Sequence, residues 1–207
     1  ILENSKGLLN ISVNINGVQV YLEFMIFNNE DYGNLNKYDL YIEKVISFLI
    51  FIFHFSKKKN PSSIKYYLYL CKYKKNIPKN TLNVLSGKNC NTGITYGCAK
   101  NGQVLIYREE EWFKVLIHET FHSYGLDIDT YDNNIVKSKI SKLFPIDSTF
   151  NIAETYTEVW ARILNCCFCS FLSSKNKDDF KLFLNFSLHI ERIFSIIQMN
   201  KILYFMG

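Results

Sequence analysis

Two histidines four residues apart constrain this chain more than any other feature. His118 and His122, with Glu119 directly after the first, lie in a stretch whose apolar residues recur at the spacing of one buried helix stripe. Gly125 follows, as a left-handed residue at a helix C-terminus would. On a helix, side chains four apart project from one face. The fold must therefore present two imidazoles and a carboxylate together on one largely apolar helix.

These residue types at this spacing are typical of a zinc site. Two neutral imidazoles one helical turn apart can share a Zn²⁺ ion, and a glutamate beside the first can act as a general base towards water at the metal. A histidine in an apolar helix is more often a core residue, but only 4 histidines occur among 207 residues. We therefore expect His118 and His122 to bind zinc and Glu119 to be the catalytic base.

A catalytic zinc ion usually has three protein ligands and a water molecule, so a further carboxylate is required. Glu154 and Glu158 lie four residues apart on a predicted helix over residues 152–172, one turn from each other. Asp127 and Asp129 follow the two histidines more closely. Spacing alone leaves the third ligand open among these four residues.

The two glutamates also have structural interpretations. Glu154 lies three residues after Asn151, as in a capping box at the start of a helix. Glu158 lies four residues before Arg162, which is the spacing of an ion pair on a helix surface. A glutamate that has only such a role would not be the third ligand.

The sequence from about 105 to 164 resembles the zincin metallopeptidases, and within them the gluzincins. That family pairs the two-histidine motif on one helix with a ligand glutamate on the next, and an acidic residue four positions later orients the first histidine. The resemblance implies that His118, His122 and Glu154 hold zinc. It also implies that Glu158 orients His118, because such carboxylates fix the imidazole tautomer.

The chain departs from the gluzincin pattern in two respects. The connection from His122 to Glu154 is longer than in the best-known gluzincins, and Ala153 stands where that family has an asparagine. A fainter resemblance is to uncharacterised metallopeptidase-like proteins of large DNA viruses, and it implies no activity.

The motif is also similar to that of the metzincins, in which a glycine follows three residues after the second histidine. Gly125 stands at that distance from His122. The position of the metzincin third ligand holds Ile128, however, with Asp127 and Asp129 on either side. The metzincin pattern would make one of these two aspartates the third ligand.

Hydrophobic periodicity and turn signals predict a single α+β domain over residues 1–207, which could also be a fragment of a longer protein. Asn16-Gly17 between two alternating runs predicts an N-terminal hairpin over 8–27. The other predicted elements are a helix over 36–55, strands over 64–73, 93–96 and 104–108, and helices over 134–143, 152–172 and from 178 to the end. We expect a zincin-like fold in which a small mixed sheet packs on several helices, including the helix of the two histidines.

The zincin resemblance implies hydrolysis of peptide bonds in a peptide or protein substrate. We expect the substrate to lie along strand 104–108, as an added strand at the sheet edge. His189, Tyr156 and Tyr124 are candidates for stabilising the oxyanion. A non-catalytic zincin-fold interaction or structural protein, or a zinc hydrolase of a non-peptide amide or ester, are alternatives. Glu119 disfavours the structural alternative, because a structural site needs no base.

Charge and hydropathy make other partners less plausible. The net charge is +5, with basic clusters at Lys57–Lys59 and at Lys72, Lys74 and Lys75. No recognised nucleic-acid-binding module accompanies them, so we expect a solvated surface and no nucleic-acid partner. The most apolar stretch, 45–55, is too short to span a bilayer. The oligomeric state is left open.

The cysteines indicate a reducing environment. Cys166, Cys167 and Cys169 lie in a helical run and point in different directions, which suits neither a metal cage nor a disulfide framework. Cys90 and Cys98 could form a bridge, but nothing requires it. We expect free thiols and an intracellular location such as the cytoplasm of a cell or of a virus-infected host.

Overall fold

A computed structural model describes residues 5–28, 34–56, 61–78, 85–96, 100–128, 130–144 and 150–206 of the chain. Three of the sequence-based expectations concern residues outside these ranges. They are the candidate ligand Asp129, the Cys90–Cys98 bridge through Cys98, and the basic cluster Lys57–Lys59.

An antiparallel hairpin opens the described chain, as predicted. Strand β1 (Gly7–Ile15) pairs with β2 (Val18–Ile26). Asn16 and Gly17 between them have positive φ angles of 50° and 89°. Two such residues in a two-residue loop form the type I′ turn, whose twist matches that of the flanking strands.

The hairpin belongs to a five-stranded mixed sheet with the order β1-β2-β3-β5-β4. The remaining strands are β3 (Ser63–Cys71), β4 (Gly93–Thr95) and β5 (Asn101–Arg108). β3 is parallel to both β2 and β5, whereas β4 is antiparallel to β5.

This order corrects the expectation that strand 104–108 forms the sheet edge. β5 lies between β3 and β4, and β4 ends the sheet. The alternating sequence of a strand shows which of its faces is buried, but it does not show how many strands pair with it. Those neighbouring strands come from distant parts of the chain.

The predicted helices are confirmed, with ends that shift by a few residues. A 3-10 turn (Leu35–Tyr38) leads into α1 (Asp39–Phe53), and the short α2 (Gly87–Cys90) was not predicted. The others are α3 (Trp112–Ser123), α4 (Asn133–Ile140), α5 (Ile152–Ser173) and α6 (Lys177–Met206). None of the helices in the described ranges is both long and apolar enough to cross a membrane.

Helices α1 and α3 pack against one face of the sheet, and α5 packs on α3 and, through Phe168, on Phe48 of α1. Alternate residues of the three central strands form a single core with these helices. The strand residues in this core are Val20, Leu22, Phe24, Ile64, Tyr66, Leu68, Val104 and Ile106. The opposite face is more polar and includes the ion pair between Lys65 and Glu23, at 2.8 Å.

A buried hydrogen-bond chain fixes α3 on the sheet. The Thr120 hydroxyl donates to the Leu116 carbonyl at 2.7 Å and accepts from the Tyr66 hydroxyl of β3 at 3.0 Å. All three side chains are fully buried or nearly so. This face of α3 is therefore held against the sheet, and the opposite face is left for the two histidines.

The end of α3 is defined by Gly125, as the sequence predicts. Gly125 has φ of 60° and donates its N–H to the His122 carbonyl at 3.2 Å. Leu126 donates to the Phe121 carbonyl at 2.9 Å. These two bonds form a Schellman motif, which turns the chain sharply after the helix. The turn brings the following residues, including Asp127, back beside His122.

Candidate metal centre

The outward face of α3 borders a cavity of about 660 Å³. The three motif residues His118, Glu119 and His122 all line it. The other lining residues are Lys75, Cys90, Asn91, Thr92, Gly93, Ile94, Thr95, Lys114, Val115, Asp127, Glu154 and Glu158. The cavity thus combines the motif with residues of β4, of α5 and of the turn after α3.

Three donor atoms converge in this cavity. The Nε2 atoms of His118 and His122 lie 3.2 Å apart. Glu154 Oε2 lies 3.2 Å from Nε2 of His118 and 3.6 Å from Nε2 of His122. Among the described residues, these three side chains form a group that could hold a metal ion.

The size of this triangle fits a zinc ion. Zinc in proteins is usually tetrahedral, with bonds of about 2.0–2.2 Å to nitrogen and carboxylate oxygen, so its ligand atoms are about 3.3–3.6 Å apart. The three observed separations, 3.2, 3.2 and 3.6 Å, are close to this range. Three ligands of this kind leave the fourth tetrahedral position for water or substrate.

A carboxylate faces the other ring nitrogen of each histidine. Nδ1 of His122 lies 2.9 Å from Asp127 Oδ2, and Nδ1 of His118 lies 3.3 Å from Glu158 Oε2. The first distance is that of a hydrogen bond, and the second is slightly long for one. With the proton on Nδ1, each ring turns the lone pair of Nε2 towards Glu154. Three electron-pair donors then face one another, an arrangement that a cation among them stabilises.

The surrounding charges favour a cation at the same place. Burial opposes a positive charge on His118, but Glu158, Glu119 and Glu154 together raise its pKa above the usual value. The negative potential of these carboxylates would equally attract a divalent metal ion.

Glu158 is held by two cations as well as by His118. Lys114 Nζ donates to its two oxygens at 2.8 and 3.1 Å, and Arg162 Nε donates at 3.0 Å. Burial opposes ionisation of Glu158, but His118, Lys114 and Arg162 lower its pKa to about 2. Arg162 also contacts Glu191 of α6 at 3.0 Å. Glu158 is thus an ionised, fixed carboxylate in an ion-pair contact with His118, and it also forms the pair with Arg162 that its spacing allows.

Glu119 differs from the other carboxylates of the cavity. Burial raises its pKa, and the nearby His118 and His122 only partly offset this effect. Within the described part of the chain its carboxylate forms no hydrogen bond or ion pair. A carboxylate with a raised pKa and no partner can accept a proton from water in the cavity.

Strand β4 forms one wall of the cavity and requires a glycine there. A Cβ atom on Gly93 would lie 2.9 Å from Ile106 Cδ1 and 2.9 Å from Val115 Cγ1, closer than van der Waals contact allows. The hydroxyls of Thr95 and Ser123 also form a hydrogen bond of 2.9 Å between β4 and α3. β4 therefore passes directly over the helix of the motif.

The structure does not bring the candidate oxyanion donors to the cavity. His189 is exposed on α6, and Tyr156 makes an edge-to-face contact with Trp160, with ring centroids 6.3 Å apart. Tyr124 is only 2% exposed, and burial raises its pKa to about 12. None of the three candidates is among the residues that line the cavity.

Asn151 does cap α5, as the sequence indicates, but the Glu154 side chain has another role. The Asn151 side chain accepts a hydrogen bond from the Glu154 N–H at 3.2 Å. The Glu154 carboxylate instead contacts the two imidazoles. The cap therefore sets where α5 begins, and this in turn sets which residue of α5 reaches the histidines.

Asp127 does not have the ligand role that was considered for it, and Lys114 is a site residue that was not predicted. Asp127 was a candidate ligand, but its carboxylate contacts Nδ1 of His122. This atom is on the opposite side of the ring from Nε2, which faces His118 and Glu154. Lys114 lies four residues before His118 on the same helix face, a spacing that could have pointed to a role near the site.

Comparisons of the chain with family models, with curated proteins and with solved structures find no match. The site is therefore interpreted from its own geometry and chemistry.

Proposed function

We propose that this protein is a zinc-dependent metallopeptidase of the zincin type. In this proposal His118, His122 and Glu154 hold the ion, and Glu158 and Asp127 orient the two imidazoles. The observation that carries the proposal is the triangle of donor atoms, with edges of 3.2, 3.2 and 3.6 Å. It lies in one cavity with Glu119, whose carboxylate has no partner among the described residues. A site that served only the fold would need no such base.

Zinc, when bound, supplies Lewis acidity that lowers the pKa of water and polarises a carbonyl. Glu119 accepts the proton of the attacking water and passes it to the leaving amine. Burial of Glu119, which raises its pKa in the metal-free protein, also keeps its carboxylate from being screened by bulk water.

The substrate lies extended along β4 in this proposal, and not along β5 as the sequence suggests. β4 ends the sheet, and 91–95 line the cavity beside Glu119 and the two histidines. Backbone groups on the outer edge of a terminal strand can pair with an added strand. A peptide bound in this way would place its backbone next to the two imidazoles and the base.

Metal content and hydrolysis test the proposal together. We expect the purified protein to carry about one equivalent of zinc by elemental analysis and His122→Ala to lose most of it. Glu119→Gln should keep the zinc but hydrolyse a broad peptide library at least about 100-fold more slowly, because a general base is not a ligand. Glu110→Gln, an exposed neighbour just before α3, is the matched control and should match the wild type.

Three other results would contradict the proposal. A protein without any transition metal would exclude the metal site itself. Zinc without peptide hydrolysis in either form would favour a non-catalytic zincin-fold protein. Cleavage of simple esters or amides, with peptides untouched, would favour a zinc hydrolase of another substrate class.

A further inference from the structure

The last helix, α6, leaves a long apolar face without a partner in the described chain. Its inner side contacts α5, for example through the ion pair between Glu191 and Arg162. Its outer side carries large apolar residues that are between 39% and 92% exposed. They are Leu182, Phe183, Phe186, Ile190, Ile193, Ile196, Ile197 and Tyr204, whereas Phe194 borders a groove between α6, α3 and α5. Soluble monomers rarely expose an apolar surface that is so continuous.

The spacing of these residues identifies the kind of partner that fits. Seven positions follow one another at alternating intervals of three and four residues. They are Phe183, Phe186, Ile190, Ile193, Ile197, Asn200 and Tyr204, and we call them the α6 seam. This alternation is the a/d pattern of a coiled coil, in which the side chains of one helix fit between those of another. The α6 seam is thus shaped to receive an α-helix.

We propose that the α6 seam receives the same helix of a second copy of this chain, in antiparallel orientation. When the pair is centred between Ile190 and Ile193, every heptad position a of one helix lies opposite a heptad position d of the other copy. Ile190 then faces Ile193 of the second copy, and Phe186 faces Ile197. Because the arrangement is symmetric, each of these contacts occurs twice.

The helix dipoles favour this orientation. In the same register Asp179 faces Tyr204 of the second copy, whose hydroxyl can donate to the carboxylate. Lys201 comes within about one helical turn of Asp178 and Asp179 of the second copy. A parallel pair would instead place like ends of the two helix dipoles side by side. The first turns of α6 carry Lys177 and Lys181 as well as Asp178 and Asp179, so their net charge does not favour either orientation. The dipoles and the contact between Asp179 and Tyr204 therefore support the antiparallel pair.

The extent of the α6 seam is sufficient for a stable dimer. A standard interface buries about 800 Å² on each partner. The exposed parts of the six apolar side chains of the seam, two of them phenylalanine and one tyrosine, amount to an area on the order of this figure.

The mass of the full chain in solution tests this proposal. We expect sedimentation analysis to find a concentration-dependent dimer. Ile193→Glu places two charges at its centre and should weaken self-association by about 100-fold or more. Ile135→Glu, on α4, is the matched control, because Ile135 is 55% exposed against 44% for Ile193. The control variant should associate like the wild type.

A charge reversal tests the orientation. Asp179→Lys should weaken association by a few-fold, about the effect of a surface ion pair, and adding Lys201→Glu to the same chain should restore it. Restoration is expected only if the two residues meet across an antiparallel pair. Circular dichroism and thermal melting check that each variant folds, and Ile193→Asn replaces Ile193→Glu if the latter does not.

Several outcomes would overturn the proposal. One is a wild-type chain that stays monomeric at all concentrations, and another is a dimer that Ile193→Glu leaves intact. A monomer that binds vesicles of anionic lipid through α6 would assign the α6 seam to a membrane surface instead. A charge reversal that Lys201→Glu does not rescue would overturn the antiparallel orientation.

Discussion

Glu154 and Glu158 have identical side chains one turn apart on α5, yet their surroundings give them different roles. Glu158 is held by Lys114 and Arg162 and faces Nδ1 of His118. Glu154 has neither cation, is 53% exposed, and directs Oε2 to both Nε2 atoms. The cations neutralise Glu158, so most of its charge is not available to a metal ion, whereas the charge of Glu154 is.

We therefore expect the two glutamine variants to lose zinc at different chelator concentrations. Glu154→Gln removes one of three protein ligands and should release zinc at concentrations that leave Glu158→Gln mostly loaded. Losing an orienting carboxylate typically lowers metal affinity by about 10–100-fold, which is less than the loss of a ligand. Titration with a chelator, followed by elemental analysis, measures the difference. If both variants kept zinc equally well, or if Glu158→Gln lost it first, Glu154 would not be the ligand and Glu158 the orienting residue.

Asp127 offers a second test at the residue scale. If it only orients His122, Asp127→Asn should lower zinc affinity by about 10-fold, because the amide oxygen can still accept the Nδ1 proton without the charge. If it were a ligand, the variant should lose zinc as Glu154→Gln does. Asp132→Asn is the matched control, since Asp132 caps α4 and asparagine caps helices equally well.

Sequence identifies the parts of the site that depend on one helix. His118, Glu119 and His122 are placed relative to one another by helical spacing alone, so their common face could be predicted. The neighbours of these residues could not be predicted in the same way. Whether Asp127 reaches Nδ1 or Nε2 of His122 depends on the turn at Gly125, and the place of Glu154 depends on how α5 packs against α3.

The same distinction holds at the scale of elements. The hairpin at Asn16-Gly17 and the start of α5 at Asn151 follow from local turn and cap chemistry, and both were predicted. A strand over 93–96 was also predicted, but the edge was assigned to 104–108 because the zincin resemblance implies an edge strand just before the helix of the two histidines. Strand order depends on pairing between distant segments, and a single sequence does not reveal it.

Gly93 makes the position of β4 testable. A methyl group there would meet Ile106 and Val115 at 2.9 Å and the Leu105 carbonyl oxygen at 3.0 Å. Overpacking of this kind costs about 1–3 kcal/mol, so Gly93→Ala should lower the melting temperature by several degrees. If β4 binds the substrate, kcat/KM should fall as well.

Gly87→Ala is the control for Gly93→Ala. Gly87 begins α2, and the nearest atom that its Cβ would meet is at 3.3 Å, in the Asn91 side chain. Alanine is the better helix former, so this variant should melt at or slightly above the wild-type temperature. If Gly93→Ala melted like Gly87→Ala, β4 would not be confined between β5 and α3 as described.

At the scale of the molecule, the site connects helices that are distant in sequence. His118 and Glu154 come from α3 and α5, and Lys114 and Glu158 link the same two helices by an ion pair of 2.8 Å. Arg162 extends this network to Glu191 on α6. A metal ion between α3 and α5 would therefore bind only the folded arrangement of these helices. Its binding free energy would then add to the stability of the whole domain.

Removing the metal should consequently destabilise the entire fold. With free zinc at about 100 to 1,000 times its Kd, binding contributes about 2.7–4.1 kcal/mol, which corresponds to about 5–15 °C in melting temperature for a chain of this size. The shift should lie towards the lower end, because the six cysteines of the unfolded chain also bind zinc. Thermal melting with and without a chelator measures it. His122→Ala should melt near the chelated wild type and should not respond to the chelator. A wild-type protein that melts at the same temperature in both conditions would contradict a metal ion shared by α3 and α5.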